Sequence, residues 1–202
     1  MRLTISILFI LCFASLCIAQ TDQCKITLAD SPEVRGFKLG QKYEDVVKGF
    51  PSGRYSGVLD YEGEFGLRSV DILDVPYHAR LAASLPETKL PDEWVKRFEG
   101  ADSVNLEFLD GMLVSIEISY DDSTKWDNPL EFTAAIASAL KLPTEGWRGR
   151  PYHPQLVCAG FTVETWNETT RPRFIMKTIG YESEIAKRKA DAEKKKRTTF
   201  KP

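Results

Sequence analysis

The chain has 202 residues, 43% of them hydrophobic and 28% charged, with a formal net charge of −2, enough apolar material for one domain with a real core. The charge is unevenly placed: from Tyr181 onward eight Lys/Arg stand against four Asp/Glu, while Gln20 to Gly180 carries eighteen against twenty-five. An acidic body argues against a nucleic-acid-binding core and leaves the basic tail as the segment able to contact an anionic surface.

Met1-Arg2 gives a short positive start, and Leu3 to Leu16 is an apolar run. Cys17-Ile18-Ala19 then puts small residues at the third and first positions before a cut ahead of Gln20. Residues 1–19 therefore read as a cleaved signal peptide, with an uncleaved anchor as the rival. The run is too short for a comfortable membrane span, and Leu16 before Cys17 argues against a lipoprotein. The expected product is secreted or periplasmic. Two of the four cysteines fall in the signal, leaving Cys24 and Cys158. An even pair in an exported chain predicts one disulfide, worth up to roughly 5 kcal/mol in the chain-entropy model; two separate buried thiols are the alternative. C-x-x-C is absent, so redox catalysis and a zinc ribbon are not expected.

In the mature chain, Lys25 to Leu28 reads as a short strand and Ser31-Pro32-Glu33 as a turn. Tyr43, Val46, Val47 and Phe50 follow at i, i+3, i+4 and i+7, one face of a short helix closed by Gly49 and Pro51. Phe37, Leu39, Gly40, Glu44, Val46, Val47 and Phe50, ending in an aromatic-Pro stop, resemble the opening of the SmpA/OmlA-type (BamE-like) outer-membrane-assembly lipoprotein domains. The same stretch is similar to the repeated unit of the β-lactamase inhibitor protein fold, and the S-P-E-V-R-G-F-K-L-G opening is similar to that of exported bacterial proteins of no assigned role. The resemblance covers about 18 residues. It implies a helix set before an antiparallel sheet, a protein-binding role in the cell envelope and no catalysis. The chain departs from the lipoprotein pattern in lacking a lipid-acceptor cysteine.

Leu67 to Leu73 alternates as a strand would, whereas Pro76 to Pro91, with Y-H-A-R-L-A-A-S-L, reads as a loop-like insert holding a turn or two of helix. Asp92 to Phe98 fits a short helix or strand. The clearest pattern is Ser103 to Tyr120. Val104, Leu106 and Phe108 alternate with polar residues, Asp110-Gly111 turns the chain, and Val114, Ile116, Ile118 and Tyr120 alternate on the way back. Asn128 as N-cap, Pro129 at the first position and Glu131 in capping-box spacing start a helix over Pro129 to Leu140. Its predicted apolar face is Phe132, Ala135, Ile136, Ala139 and Leu140. Leu156 to Trp166 reads as one strand carrying Cys158, with Arg173 to Ile179 as its hairpin partner. Beyond Gly180 the chain is almost all charge; Glu184→Arg188, Asp191→Lys195 and Glu193→Arg197 are i, i+4 pairs that predict a solvated helical tail over 181–202.

The expected fold is thus α+β, an antiparallel sheet with helices packed on one face, forming a single domain over residues 20–180 followed by a charged C-terminal helix. Two apolar-Pro helix ends, Phe50-Pro51 and Leu142-Pro143, leave a duplicated helix-plus-sheet unit open.

Chemistry is sparse in this sequence. His78 and His153 sit in no metal, nucleophile or general-base pattern, and phosphate-loop and dinucleotide glycines are absent, so no cofactor, no metal and no catalytic residue is expected. Asp60, Glu62 and Glu64 form an acidic loop, but Phe65 stands where an EF-hand needs its glycine. Asn167-Glu168-Thr169 is an N-glycosylation motif. Trp147, Arg148, Arg150 and Tyr152 interleave aromatics with cations, a composition favoured at interaction hot spots, and are the candidate partner-binding residues. The bland alternative has Trp147 and Tyr152 covering the end of the second helix and the arginines pairing acids of the body. The expectation is an exported, non-enzymatic protein-interaction or envelope-associated domain whose partner is another envelope or extracellular protein. The alternatives are a structural or ligand-carrier envelope domain, or a hydrolase using dispersed carboxylates.

Overall fold

A computed structural model describes residues 24–48, 67–71, 78–84, 96–121, 126, 128–167 and 171–199. The signal segment, the Asp60 to Glu64 loop, positions 92–95 and Glu168-Thr169 of the glycosylation motif lie outside these residues.

The element order is β1 (Cys24–Thr27), α1 (Tyr43–Lys48), β2 (Leu67–Asp71), β3 (His78–Ser84), β4 (Ala101–Leu109) and β5 (Met112–Tyr120). Then come α2 (Pro129–Ala139), β6 (Arg148–Arg150), β7 (His153–Ala159), β8 (Phe161–Trp166), β9 (Arg173–Thr178) and α3 (Tyr181–Thr199). The strands form one sheet in the order β1-β7-β8-β9-β5-β4-β3-β2, with β6 also paired to β7. The α+β class holds, but the sheet is mixed: β1 runs parallel to β7, with Cys24 opposite Cys158. That one parallel pair corrects the purely antiparallel expectation; β1 and β6 are both paired to β7, β6 antiparallel and β1 parallel.

The central hairpin forms where the alternation places it. Asp110 and Gly111 both have positive φ, 53° and 75°, as the tight reversal requires. Its core face carries Val104, Leu106, Phe108, Ile116 and Ile118, each at most 1% exposed. The segment before α1 is stitched to the end of this hairpin: Gly40 N–H donates to Leu113 O, Leu113 N–H to Gln41 O, and Tyr43 N–H to Gly111 O. Tyr43 then meets Phe108 edge to face at 5.0 Å, and Val46 is buried. In α2 the Asn128 side chain caps the Leu130 N–H at 2.9 Å. The buried residues of α2 are Phe132, Thr133 and Ala137, with Ile136 and Leu140 packed partly against the core. The buried stripe is rotated from the expected one because the Thr133 hydroxyl is satisfied inside, 2.7 Å from Thr165 Oγ1.

Three sequence expectations change. The H-A-R-L-A-A-S stretch is β3, paired without interruption to β4 from His78↔Leu109 to Ser84↔Ser103; the sheet ladder on both of its sides overrides the helix propensity of its alanines. Leu156 to Trp166 is two strands, since the chain reverses at Gly160 and β7 pairs antiparallel with β8. Arg148 to Arg150 is a short strand rather than a loop.

This topology has an internal symmetry. α1 is followed by the meander β2-β3-β4-β5, and α2 by the meander β6-β7-β8-β9. The last strands of the two meanders pair antiparallel, Ile116 opposite Met176 and Ile118 opposite Phe174. Both helices pack on the face that holds the single large core cluster.

α3 lies on the opposite face. Ile185 is buried with Leu109 and Val114, and Tyr181 packs against them. Burial and the nearby Glu107 carboxylate push the Tyr181 phenol up to about 12. Arg188 then grips the hairpin turn, its two terminal nitrogens each 2.8 Å from an Asp110 carboxylate oxygen, while its Nε holds Glu184 at 2.8 Å. The side-chain hydrogen bond from Arg188 holds the Asp110 carboxyl below the usual range. The first half of the charged tail is therefore docked. Arg188→Ala is expected to free α3 beyond Ile185: its amides lose protection in hydrogen exchange while those of β4 and β5 keep theirs. Unchanged protection in α3 would show that Tyr181 and Ile185 hold the helix alone.

Candidate interaction site

The four candidate residues fall at one place, where β6 and the turn after it stand beside α2. Between them runs a groove of about 390 Å³ whose floor is Ala134 and Ala137 and whose sides include Leu130, Trp147 and Pro151. Leu130 is 53% exposed, so apolar surface remains open to solvent here; Tyr152, 38% exposed in the turn after β6, is not among the residues lining the groove. Trp147 is the fixed wall. It packs against the core cluster and its Nε1–H donates to Pro143 O at 2.8 Å, four residues back in the turn that follows α2. On this point the lid reading of Trp147 fits.

The arginines behave otherwise. Arg148 and Arg150 are exposed and, among the described residues, neither side chain has a hydrogen bond or ion pair. Other arginines are engaged: Arg171 by Asp102, Arg173 by Glu117 and, on the tail helix, Arg188 by Asp110, while Arg35 holds the backbone carbonyls of Arg97 and Glu99. The expected pairing of Arg148 and Arg150 with body acids is absent among the described residues. Between them, Gly149 has φ +112°, and a Cβ there would stand 2.7 Å from His153 O. Only glycine permits this close approach of β6 to β7. The pairing runs Arg148↔Gln155, Gly149↔Pro154 and Arg150↔His153, which places both arginines at strand spacing on a short outer strand. Both also line the groove.

The other face of the sheet holds a charge cluster that the sequence did not reveal. The Glu164 side chain on β8 is only 7% exposed, yet it is contacted by Lys177 Nζ at 2.9 Å and His153 Nε2 at 3.2 Å, and Gln155 Nε2 donates to it at 3.0 Å. Burial pushes the Glu164 carboxyl up, but hydrogen bonds from Lys177 and His153 outweigh it and hold it below the ordinary glutamate range. Lys177 is raised in turn: burial opposes its charge, and Glu164 and Glu182 more than restore it. His153 also stacks on Trp166, ring centroids 3.4 Å apart. The signal for this cluster is period two: Gln155 stands opposite Glu164, and Lys177 stands opposite Thr162, two positions from Glu164 on the same face. Seeing it required the register of three strands.

Among the described residues, no group of three His, Cys, Asp or Glu is arranged to hold a metal ion. None of the described helices is long and apolar enough to cross a membrane. Cys24 and Cys158 form a disulfide, Cα atoms 4.4 Å apart. Compared with known proteins, the chain matches no family model, no curated protein and no solved structure.

Proposed function

We propose that this chain is an exported, non-enzymatic protein-interaction domain that meets its partner through the groove between α2 and β6. One observation carries this reading: two exposed, unengaged arginines stand at strand spacing beside an open apolar groove. Interfaces join apolar anchors to arginine in just this way, and arginine and aromatic residues are enriched in them. The enclosed charges of the opposite face are satisfied within the sheet. Glu164 is held ionised by Lys177 and His153, which suits a structural anion; a general acid needs its carboxyl raised instead.

The test fills the groove without disturbing the core. Ala134 is exposed on α2, so Ala134→Trp obstructs the floor while leaving Phe132 and Ala137 in place. Tagged protein expressed in its own host is cross-linked in the envelope, and the proteins recovered with wild type and variant are compared. A defined partner recovered with wild type and depleted about tenfold with the variant is expected, the loss of one anchor contact of about 1.4 kcal/mol or more. Equal recovery places the contact elsewhere, and no specific partner with either form overturns the interaction reading.

A further inference from the structure

Resting on that reading, the chemistry of the partner can be taken further. Among the described residues β6 is paired on one side only, to β7, so its outer edge is open. Pro154, opposite Gly149, has no N–H to donate. In the antiparallel alternation Arg148 and Arg150 therefore form the hydrogen-bonded pairs with Gln155 and His153, and the N–H and C=O of Gly149 turn to the open edge. An open edge of this kind is where an extended peptide adds as a further strand. The two arginines guard it. Against a second neutral or basic edge they act as repulsion, but toward carboxylates at alternate positions of an incoming strand they are complementary, since alternate residues repeat at about 6.6–6.8 Å in both chains.

We propose that the free edge of β6 accepts an extended acidic segment of a partner protein. Two carboxylates at alternate positions face Arg148 and Arg150, and a flanking apolar side chain seats against Ala134 and Leu130 in the groove. Guanidinium and carboxylate match in planar geometry. Arg148 and Arg150 have no internal acid among the described residues to give up, so a partner's carboxylates meet no competitor. A free small acid would use one arginine and neither the edge nor the groove. Nucleic acid is disfavoured by the acidic body, in which Gln20 to Gly180 has twenty-five acids to eighteen bases.

The probe is a short fluorescein-labelled peptide with glutamate at two alternate positions flanked by leucines, titrated with the purified protein and read by anisotropy. Matched peptides carry glutamine or lysine at the two positions. Binding of the glutamate peptide is expected to weaken about tenfold in the R148E/R150E double variant and for the glutamine peptide. The lysine peptide is expected to bind the double variant and not the wild type. That swap is the outcome a change in folding cannot mimic. Binding that ignores R148E/R150E overturns the proposal, and so does displacement of the peptide by free glutamate at the peptide's own affinity. Absence of peptide binding, with partner capture still sensitive to Ala134→Trp, overturns the acidic-strand proposal and leaves the groove reading standing. Peptide binding that depends on the two arginines, with capture insensitive to Ala134→Trp, supports the edge site and removes the groove.

Discussion

Replacing both Cys24 and Cys158 by alanine is expected to lower the unfolding free energy by about 2–5 kcal/mol, read as the urea midpoint at constant slope. The bond spans 134 residues of sequence, so most of the described fold lies inside the loop it closes. The chain-entropy model places the effect of so long a loop near 5 kcal/mol, and native strain or residual unfolded structure reduces it. A local effect accompanies the global one. β1 meets β7 through only Cys24↔Cys158 and Thr27↔Ala159, with an irregularity between them. Without the covalent tie, the amides of residues 24–28 are expected to exchange by local opening. The segment before α1 keeps its protection, because its hydrogen bonds run to the hairpin at Gly111 and Leu113 and not to β7. An unchanged urea midpoint in the double variant would show that packing around the two buried positions is sufficient without the bond.

Glu164→Gln is expected to destabilise the domain by about 1–3 kcal/mol, the range for a buried hydrogen-bonded group deprived of its partner's charge. The variant keeps the shape of the side chain but leaves Lys177 with only Glu182, which is itself largely exposed. The pH dependence separates this from a packing defect. Glu164 is depressed in the folded state, so its contribution is fully present above the ordinary glutamate range and disappears as pH falls through the folded value. Lys177 is raised, so its contribution is present below the ordinary lysine range and is lost as pH rises through the folded value. The difference between wild type and Glu164→Gln should therefore be constant from mildly acidic to mildly alkaline pH and shrink below about pH 4. Asp110 and Glu184 are also depressed, by Arg188, and act equally in both proteins, so they cancel. A difference that stays constant down to strongly acidic pH would mean that the charge of Glu164 contributes nothing.

Local signals carried some elements through intact. The Asp110-Gly111 hairpin formed because only a narrow set of residues reverses a chain in two positions and the arms on both sides alternate. α2 starts at Asn128-Pro129 because a cap and a preset φ act within one turn of helix. The tail is helical for a local reason of another kind, acid–base pairs at i, i+4 such as Glu184–Arg188 and Glu193–Arg197. β3 reads locally as a turn or two of helix because alanine-rich sequence favours helix when nothing competes, and its competitors, β2 and β4, are contributed from elsewhere in the chain. The β7–β8 reversal is not legible locally although Gly160 interrupts the pattern, since a lone glycine within a strand run fits a bulge as well as a turn. The candidate site divides in the same way. Trp147, Arg148, Arg150 and Tyr152 were legible as a group from composition alone. Their separate roles were not: Trp147 is a wall fixed to Pro143, while the arginines stand free of body acids among the described residues.

By itself the sequence determined the central hairpin, the capped second helix, the helical tail and the α+β class, because each rests on interactions within a few turns or on the parity of one strand, and it determined the cysteine pair because two cysteines remain beyond the signal segment. Tertiary structure alone decided that β1 runs parallel to β7, that two helix-plus-meander units meet at β5 and β9, and that Arg188 clamps Asp110. It also decided that Glu164 is enclosed by Lys177 and His153 while Arg148 and Arg150 have no such partner among the described residues. These are facts of register and proximity between residues far apart in the chain, and periodicity read along a single strand does not specify which strand lies beside it.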